Sequence, residues 1–204
     1  MNDGEKRNTW DERFNTPDYV YGTDPNAFLV EVAARIPKGA VLCLGEGEGR
    51  NAVYLAGKGY DVTAVDSSSV GLEKARRLAG ERGVKITTVH SDVGRFDIGR
   101  EKWAGIVSIF LHLPHDTRAA LHRRCVSGLR PGGALVLEAY SPKQLEYGTG
   151  GPKSLDLLVG LESVKQELEG LLLERAQERV REVREGRFHQ GPGAVVQVLG
   201  IKPA

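Results

Sequence analysis

Val41-Leu-Cys-Leu44 runs straight into Gly45-Glu-Gly-Glu-Gly49, and the pattern Asn51 to Lys58 follows as an amphipathic helix. This strand, glycine loop and helix decide how the rest of the chain is read. Glycines tolerate positive φ and let backbone approach a ligand closely. The helix after such a loop offers unpaired N–H groups at its start, suited to a polar or anionic group. In an open α/β sheet, ligands bind at the carboxyl ends of strands in just such a place. The segment Gly47-Glu-Gly-Arg-Asn-Ala52 also fits the G-x-G-x-x-G/A dinucleotide fingerprint. A tight strand-to-helix turn with no ligand is the plainer alternative, so the surroundings must decide.

Outward from the loop, short apolar runs alternate with amphipathic stretches. Strands are expected at Val41–Leu44, Asp61–Val65, Val84–Val89, Gly105–Phe110 and Ala134–Ala139. Helices are expected at Asn51–Lys58, Val70–Arg82 (closed by Gly83) and His115–Gly128. Strands that are apolar along their whole length indicate a parallel sheet covered on both faces. Strand–helix alternation implies right-handed crossovers and a doubly wound α/β fold. The last third differs. Ser154–Glu169 reads as a helix, Leu171–Val183 alternates, a turn falls near Glu185-Gly186, and Ala194–Ile201 is apolar again. Two strands joined by a short loop pair antiparallel. The glycine-rich segment from Gln144 to Leu158 is expected to be a mobile insertion. Ahead of the first strand, Thr9–Phe14 is amphipathic. Asp24-Pro25 reads as the N-cap and first position of a helix whose buried face is Phe28, Leu29, Val32 and Ile36.

With 204 residues, 40% hydrophobic and 27% charged, the chain is expected to form one domain, residues 1–204. Residues 1–37 would form its helical cover and 144–170 an insertion near the substrate. A net charge of +1 gives no reason to expect a nucleic-acid partner. No apolar run approaches the roughly 18 residues of a membrane span. Met1–Arg7 is polar with no apolar run after it, which argues against a secretory signal. Cys43 and Cys125 share no metal-ligand spacing and read as buried thiols of a reducing compartment. No metal site is expected, the setting is expected to be the cytoplasm, and the state a monomer or weak dimer. The charges from Glu174 to Glu185 read as a solvated face.

Asp66 ends the second strand, where a carboxylate can accept both hydroxyls of a ribose. More than one adenosine-bearing cofactor has that ribose, so Asp66 does not say which one binds. Asp92 follows the third strand and is a candidate for the adenine amino group. Leu129-Arg-Pro-Gly-Gly133 reads as a helix end, a turn and a strand start. With the terminal antiparallel pair, it points away from dehydrogenases.

These residues together resemble the class I S-adenosylmethionine-dependent methyltransferases, and more closely the small bacterial group related to tellurite-resistance and thiopurine methyltransferases. The likeness rests on Trp10-Asp-Glu-Arg-Phe14, Tyr19-Val-Tyr-Gly-Thr-Asp-Pro-Asn26, the glycine loop with Arg50-Asn51, Thr63-Ala-Val-Asp66, Val107-Ser-Ile-Phe110, Leu129–Gly133 and the closing Val195–Ile201 strand. It implies a Rossmann-like seven-stranded sheet, mostly parallel with an antiparallel C-terminal strand and helices on both faces. It implies S-adenosylmethionine as cofactor and S-adenosylhomocysteine as product. Gly45, Glu46, Gly47 and Gly49, with Asn51, would wrap the methionine part and sugar. Asp66 and Ser67 would hold the ribose, Asp92 and Val93 border the adenine, and Phe110 lie beside the cofactor. The family often has an acidic residue where this chain has Cys43, so Glu46 or Glu48 would supply the carboxylate for the cofactor's ammonium. Trp10 and Tyr21 would cover the cofactor, since aromatic faces suit a sulfonium. His112, His189 and Tyr21 are the candidate catalytic residues, with solvated or packing roles as the alternatives. Arg13 and Arg50 would neutralise a carboxylate or an oxyanion substrate, or simply form surface ion pairs. No strong base motif follows the fourth strand, which favours a small soft acceptor (sulfur, selenium or tellurium). A catalytically silent cofactor-binding protein and an NAD(P)-dependent oxidoreductase are the alternatives.

Overall fold

The computed structural model describes residues 9–204; Met1–Arg7, read above as a polar start, lies outside the described residues. Seven strands form one sheet in the order β3-β2-β1-β4-β5-β7-β6. They are β1 (Ala40–Leu44), β2 (Asp61–Asp66), β3 (Thr87–His90), β4 (Trp103–Ile109), β5 (Leu129–Tyr140), β6 (Leu172–Glu185) and β7 (His189–Ile201). The first five are parallel; β7 runs antiparallel between β5 and β6. The chain reverses its direction of travel across the sheet between β1 and β4, the place where such sheets bind ligands.

Side chains alternate across the sheet, and each face has its own core. Leu42, Leu44, Ile106, Leu135 and Leu137 pack with Leu121, Cys125, Val164 and Leu168 from α5 (His115–Gly128), α6 (Leu161–Glu167) and the turn after α6. Val41, Cys43, Val107 and Val136 pack on the other face with Phe28, Leu29 and Val32 of α2 (Ala27–Val32) and Ala52 and Leu55 of α3 (Arg50–Gly57). Every residue of β4 is buried, as expected of a central strand. The antiparallel pair is long because β6 and β7 extend past the sheet, carrying their turn to the N-terminal segment. There Arg187 N donates to Val20 O at 2.9 Å, and a Cβ on Gly186 would lie 2.2 Å from Val20 O.

Several boundaries differ from expectation, each for a local reason. The third strand begins at Thr87 rather than Val84, because Val84 N donates to Ala79 O and closes α4 (Ser69–Glu81) across Gly83 at φ +66°. The fifth begins at Leu129, which already pairs with Trp103; the Pro131–Gly133 turn is a bulge inside it. Ser154–Glu169 is no single helix. A short 3-10 turn at Leu155–Leu157 stops at the buried, extended Leu158, and Val159 N docks on Tyr140 O before α6 starts. The helix before β1 is capped by Asn26, not Asp24: the Asn26 side chain accepts Leu29 N. Pro25 therefore precedes the cap. α1 (Thr9–Phe14) forms as expected, and its Asp11 carboxylate accepts Ser68 Oγ and Val70 N at the start of α4.

Candidate active site

A cavity of about 660 Å³ opens at the carboxyl ends of β1, β2 and β4. Its floor is the glycine loop, built by backbone geometry that side chains would spoil. Gly45 and Gly49 sit at φ +60° and +94°; a Cβ would come 2.7 Å from Leu111 at the first and 2.6 Å from Ala75 at the second. Asp66 locks the loop from the side, its Oδ2 accepting Gly47 N at 2.8 Å and its Oδ1 accepting Ser68 N at 2.7 Å. Each carboxylate oxygen still has a lone pair, and Asp66 and Ser67 line the cavity. Burial, only partly offset by those two N–H groups, raises the Asp66 carboxyl above its usual range.

The start of α3 is not the open anion site expected. Glu46 Oε1 accepts Asn51 N at 2.9 Å and Ala52 N at 2.8 Å, so a side chain of the loop itself caps these donors. Burial, opposed by these hydrogen bonds and by Arg50, raises the Glu46 carboxyl to about 7. The same group stands beside Cys43. Burial, then the charge and hydrogen bond of Glu46, push the Cys43 thiol well above its ordinary range. Glu46 thus delivers from the loop a carboxylate to the side of the strand position where Cys43 stands. Glu48 is engaged elsewhere: Oε1 pairs with buried Lys74 at 2.5 Å and Oε2 accepts Tyr21 N. Lys74 also donates to Phe14 O and Asp18 O, tying the N-terminal segment to α4. Asn51 lines the cavity and holds Asn26 N with its Oδ1.

Asp92 and Val93 line the cavity beyond β3, and Asp92 Oδ1 accepts Gly94 N at 2.8 Å. Phe110 closes β4 at φ +52°, an uncommon conformation for a non-glycine residue and one that clusters at functional sites. Its ring packs 4.6 Å from Tyr140. His112 also lines the cavity. Its Nδ1 lies 2.9 Å from Leu157 O, which can only accept, so that nitrogen carries the proton and Nε2 keeps a lone pair. Nε2 is buried and has no hydrogen-bond partner. Burial lowers the His112 imidazole to about 4 against the opposing Leu157 hydrogen bond, so it is neutral near pH 7. Trp10, Arg13, Phe14, Tyr21 and Phe188 line the cavity from the N-terminal segment and the β6–β7 turn; Gly150–Lys153 and Leu157 line it too. The stretch expected to be a mobile insertion thus walls the cavity. His189 begins β7, but its side chain lies outside the described residues.

Sequence reasoning missed a buried charge network beneath the rim. Glu138, fully buried in β5, accepts from Asn26 at 2.8 Å, Gln197 at 2.5 Å and Arg181. Glu185 accepts from Arg181 at 2.7 Å, Asn26 at 2.9 Å and Arg50 at 2.5 Å. Arg181 and Glu185 therefore do not belong to a solvated face, and Arg50, which lines the cavity, donates to Glu185 and to Asp24 O. The signal was present in Leu135-Val-Leu-Glu138, a lone carboxylate in an apolar strand.

Residues 41–133 match the family model for a methyltransferase domain. The matched segment runs from β1 into β5 and contains the glycine loop, Asp66 and Asp92. Among curated proteins, it is 25% identical over 117 residues to the 2-heptyl-1-hydroxyquinolin-4(1H)-one methyltransferase of Mycobacteroides abscessus. That alignment takes in 56% of this chain and 52% of the relative, so the chain spans about half the length of the curated relative it matches. Among solved structures, TehB from Haemophilus influenzae aligns with a TM-score of 0.72 at 20% identity, over 95% of this chain and 65% of TehB. A structure described for the conversion of a disulfide bond into a thioacetal group during echinomycin biosynthesis aligns at 0.76 and 20% identity, over 96% and 91% of the two chains. No helix among the described residues is long and apolar enough to cross a membrane.

Proposed function

We propose that the protein transfers a methyl group from S-adenosylmethionine to a small acceptor by in-line displacement. One observation supports this most: a locked carboxylate, Asp66, stands beside a positive-φ glycine loop in a cavity large enough for a small-molecule site, where pockets run about 300–1,000 Å³. The residues fit the cofactor. Asp66 and Ser67 would take the ribose hydroxyls, Asp92 and Val93 border the adenine, Glu46 face the ammonium, and Gly45, Gly47, Gly49 and Asn51 wrap the chain between. Trp10, Tyr21 and Phe110 would present ring faces to the sulfonium. When bound, the cofactor supplies a methyl group already activated on sulfur. What remains for the protein is to hold the acceptor at roughly 3–3.5 Å on the line of attack and to exclude water. The rim aromatics and the 150–157 wall would do both.

The acceptor we favour is a small soft nucleophile, an anion or thiolate of sulfur, selenium or tellurium, which needs positioning more than a base. His112, neutral and weakly basic, is consistent with that. A hydroxyl acceptor is the second reading, favoured by the unpartnered Nε2 of His112, which can accept a hydrogen bond from the substrate's hydroxyl. Residues 1–204 would form one methyltransferase domain, with 1–37 as its cover and 144–170 on the acceptor side. It would act in the cytoplasm as a monomer or weak dimer, with no nucleic-acid partner. Calorimetric titration with S-adenosylhomocysteine tests the cofactor; no heat at high micromolar ligand in a folded sample overturns the reading. Release of S-adenosylhomocysteine from S-adenosylmethionine with thiols, selenite, tellurite, thiopurines and a hydroxyquinolone then ranks the acceptors. Cofactor binding with no turnover on any of them would favour a silent binding protein.

A further inference from the structure

The cofactor proposed above ends in an amino acid, so its site must meet a carboxylate as well as an ammonium. Several donors around the glycine loop are already engaged. Glu46 occupies the N–H groups of Asn51 and Ala52. Arg50 is bound to Glu185, and Lys74 to Glu48 and two carbonyls. Two cationic side chains on the cavity wall pair with no carboxylate among the described residues: Arg13 and Lys153. Only Arg13 is tethered to the glycine loop: its neighbour Phe14 lies against Gly47, where a Cβ would stand 3.0 Å from the ring. Tyr21, whose hydroxyl accepts from Arg13 at 3.0 Å, gives its backbone N–H to Glu48. The Arg13 guanidinium is also held 4.9 Å from the Trp10 ring centre and 5.6 Å from that of Phe188. A guanidinium fixed by rings and one hydroxyl keeps donors free in a planar fork that matches a carboxylate.

We propose that Arg13 is the receptor for the carboxylate of the cofactor's amino-acid end. This rests on the cofactor reading above. The test compares two ligands that differ in this group: S-adenosylhomocysteine, and 5′-methylthioadenosine, which has the nucleoside and thioether but no amino acid. Arg13→Met should weaken S-adenosylhomocysteine binding about 10- to 100-fold, the scale of a lost charged hydrogen bond. It should leave methylthioadenosine within about 3-fold of the parent protein, which also shows the variant folded. Arg13→Lys should recover part of the loss. Equal losses for both ligands would make Arg13 a packing residue and overturn the proposal. Unchanged S-adenosylhomocysteine binding with a raised KM for the methyl acceptor would assign Arg13 to the acceptor and overturn it as well. A parent protein that binds neither ligand would instead overturn the cofactor reading itself.

Discussion

At the scale of single residues, the site is an arrangement of carboxylates with separate tasks. Asp66→Ala removes the acceptor for Gly47 N and Ser68 N as well as the proposed ribose contact. It should weaken S-adenosylhomocysteine binding by about 1–3 kcal/mol in calorimetry; unchanged affinity would put the ribose elsewhere. Glu46 gives a pH signature. Its folded-state value near 7 lies above the ordinary carboxylate range, so the group becomes neutral as pH falls through about 7 and stops attracting an ammonium. Binding of S-adenosylhomocysteine should therefore be strongest above pH 7 and weaken toward pH 6, and Glu46→Gln should flatten that dependence. A parent profile that is flat between pH 6 and 8 would show that the ammonium is held by other groups. Asp66, the glycines and Glu46 were all singled out in the sequence, because motif and spacing mark them. That Glu46 caps α3 while Glu48 binds Lys74 was not legible. Both are glutamates in the same loop, and only the three-dimensional path of the chain distinguishes them.

At the scale of elements, α5 and α6 are joined by a buried cluster. Glu167 accepts from Arg118 at 2.9 Å and lies 2.7 Å from His122 Nδ1. Burial alone would raise its carboxyl; the hydrogen bonds from His122, Arg118 and Ser163 outweigh that and bring it to about 2. Because the folded value is depressed, the stabilisation is present above the ordinary value near 4.5. It is lost as pH falls from there toward 2. Chemical denaturation should show stability dropping across that window, and Glu167→Gln should remove most of that part of the slope. At neutral pH the same change leaves Arg118 buried without its carboxylate, at a cost of about 3–5 kcal/mol. Periodicity located α5 to the residue and failed on α6. The docking of Val159 on Tyr140 breaks the predicted helix, and a contact between segments far apart in sequence leaves no local pattern.

At the scale of the whole molecule, the N-terminal segment, the sheet and the β6–β7 turn meet in the network of Asn26, Arg50, Glu138, Arg181, Glu185 and Gln197. Two carboxylates and two guanidiniums balance, so removing one charge leaves a buried surplus. Glu138→Gln should lower stability by about 3–5 kcal/mol in equilibrium unfolding. A loss under 1 kcal/mol would mean the network is hydrated rather than buried. Because the cavity wall combines all three parts, ligand binding should stabilise the molecule as a unit. S-Adenosylhomocysteine at about 100 times its Kd should add about 2.7 kcal/mol. Hydrogen exchange should slow together at residues 10–21 and 186–188; slowing confined to the glycine loop would show that the rim does not close on the ligand.

The sequence by itself determined the parallel half of the sheet, the place of the cavity at the end of β1, and the residues around the proposed ribose and adenine positions. Those features are local: apolar runs, glycine spacing and caps act within a few residues of one another. Tertiary structure alone decided that Glu46 reaches the side of Cys43, that Arg50 turns to Glu185, that Glu138 lies in a charge network, and that Arg13 is held by Tyr21, Trp10 and Phe188 on the cavity wall. Those outcomes depend on which distant segments become neighbours, and a buried charge is satisfied by whatever partner the fold brings to it.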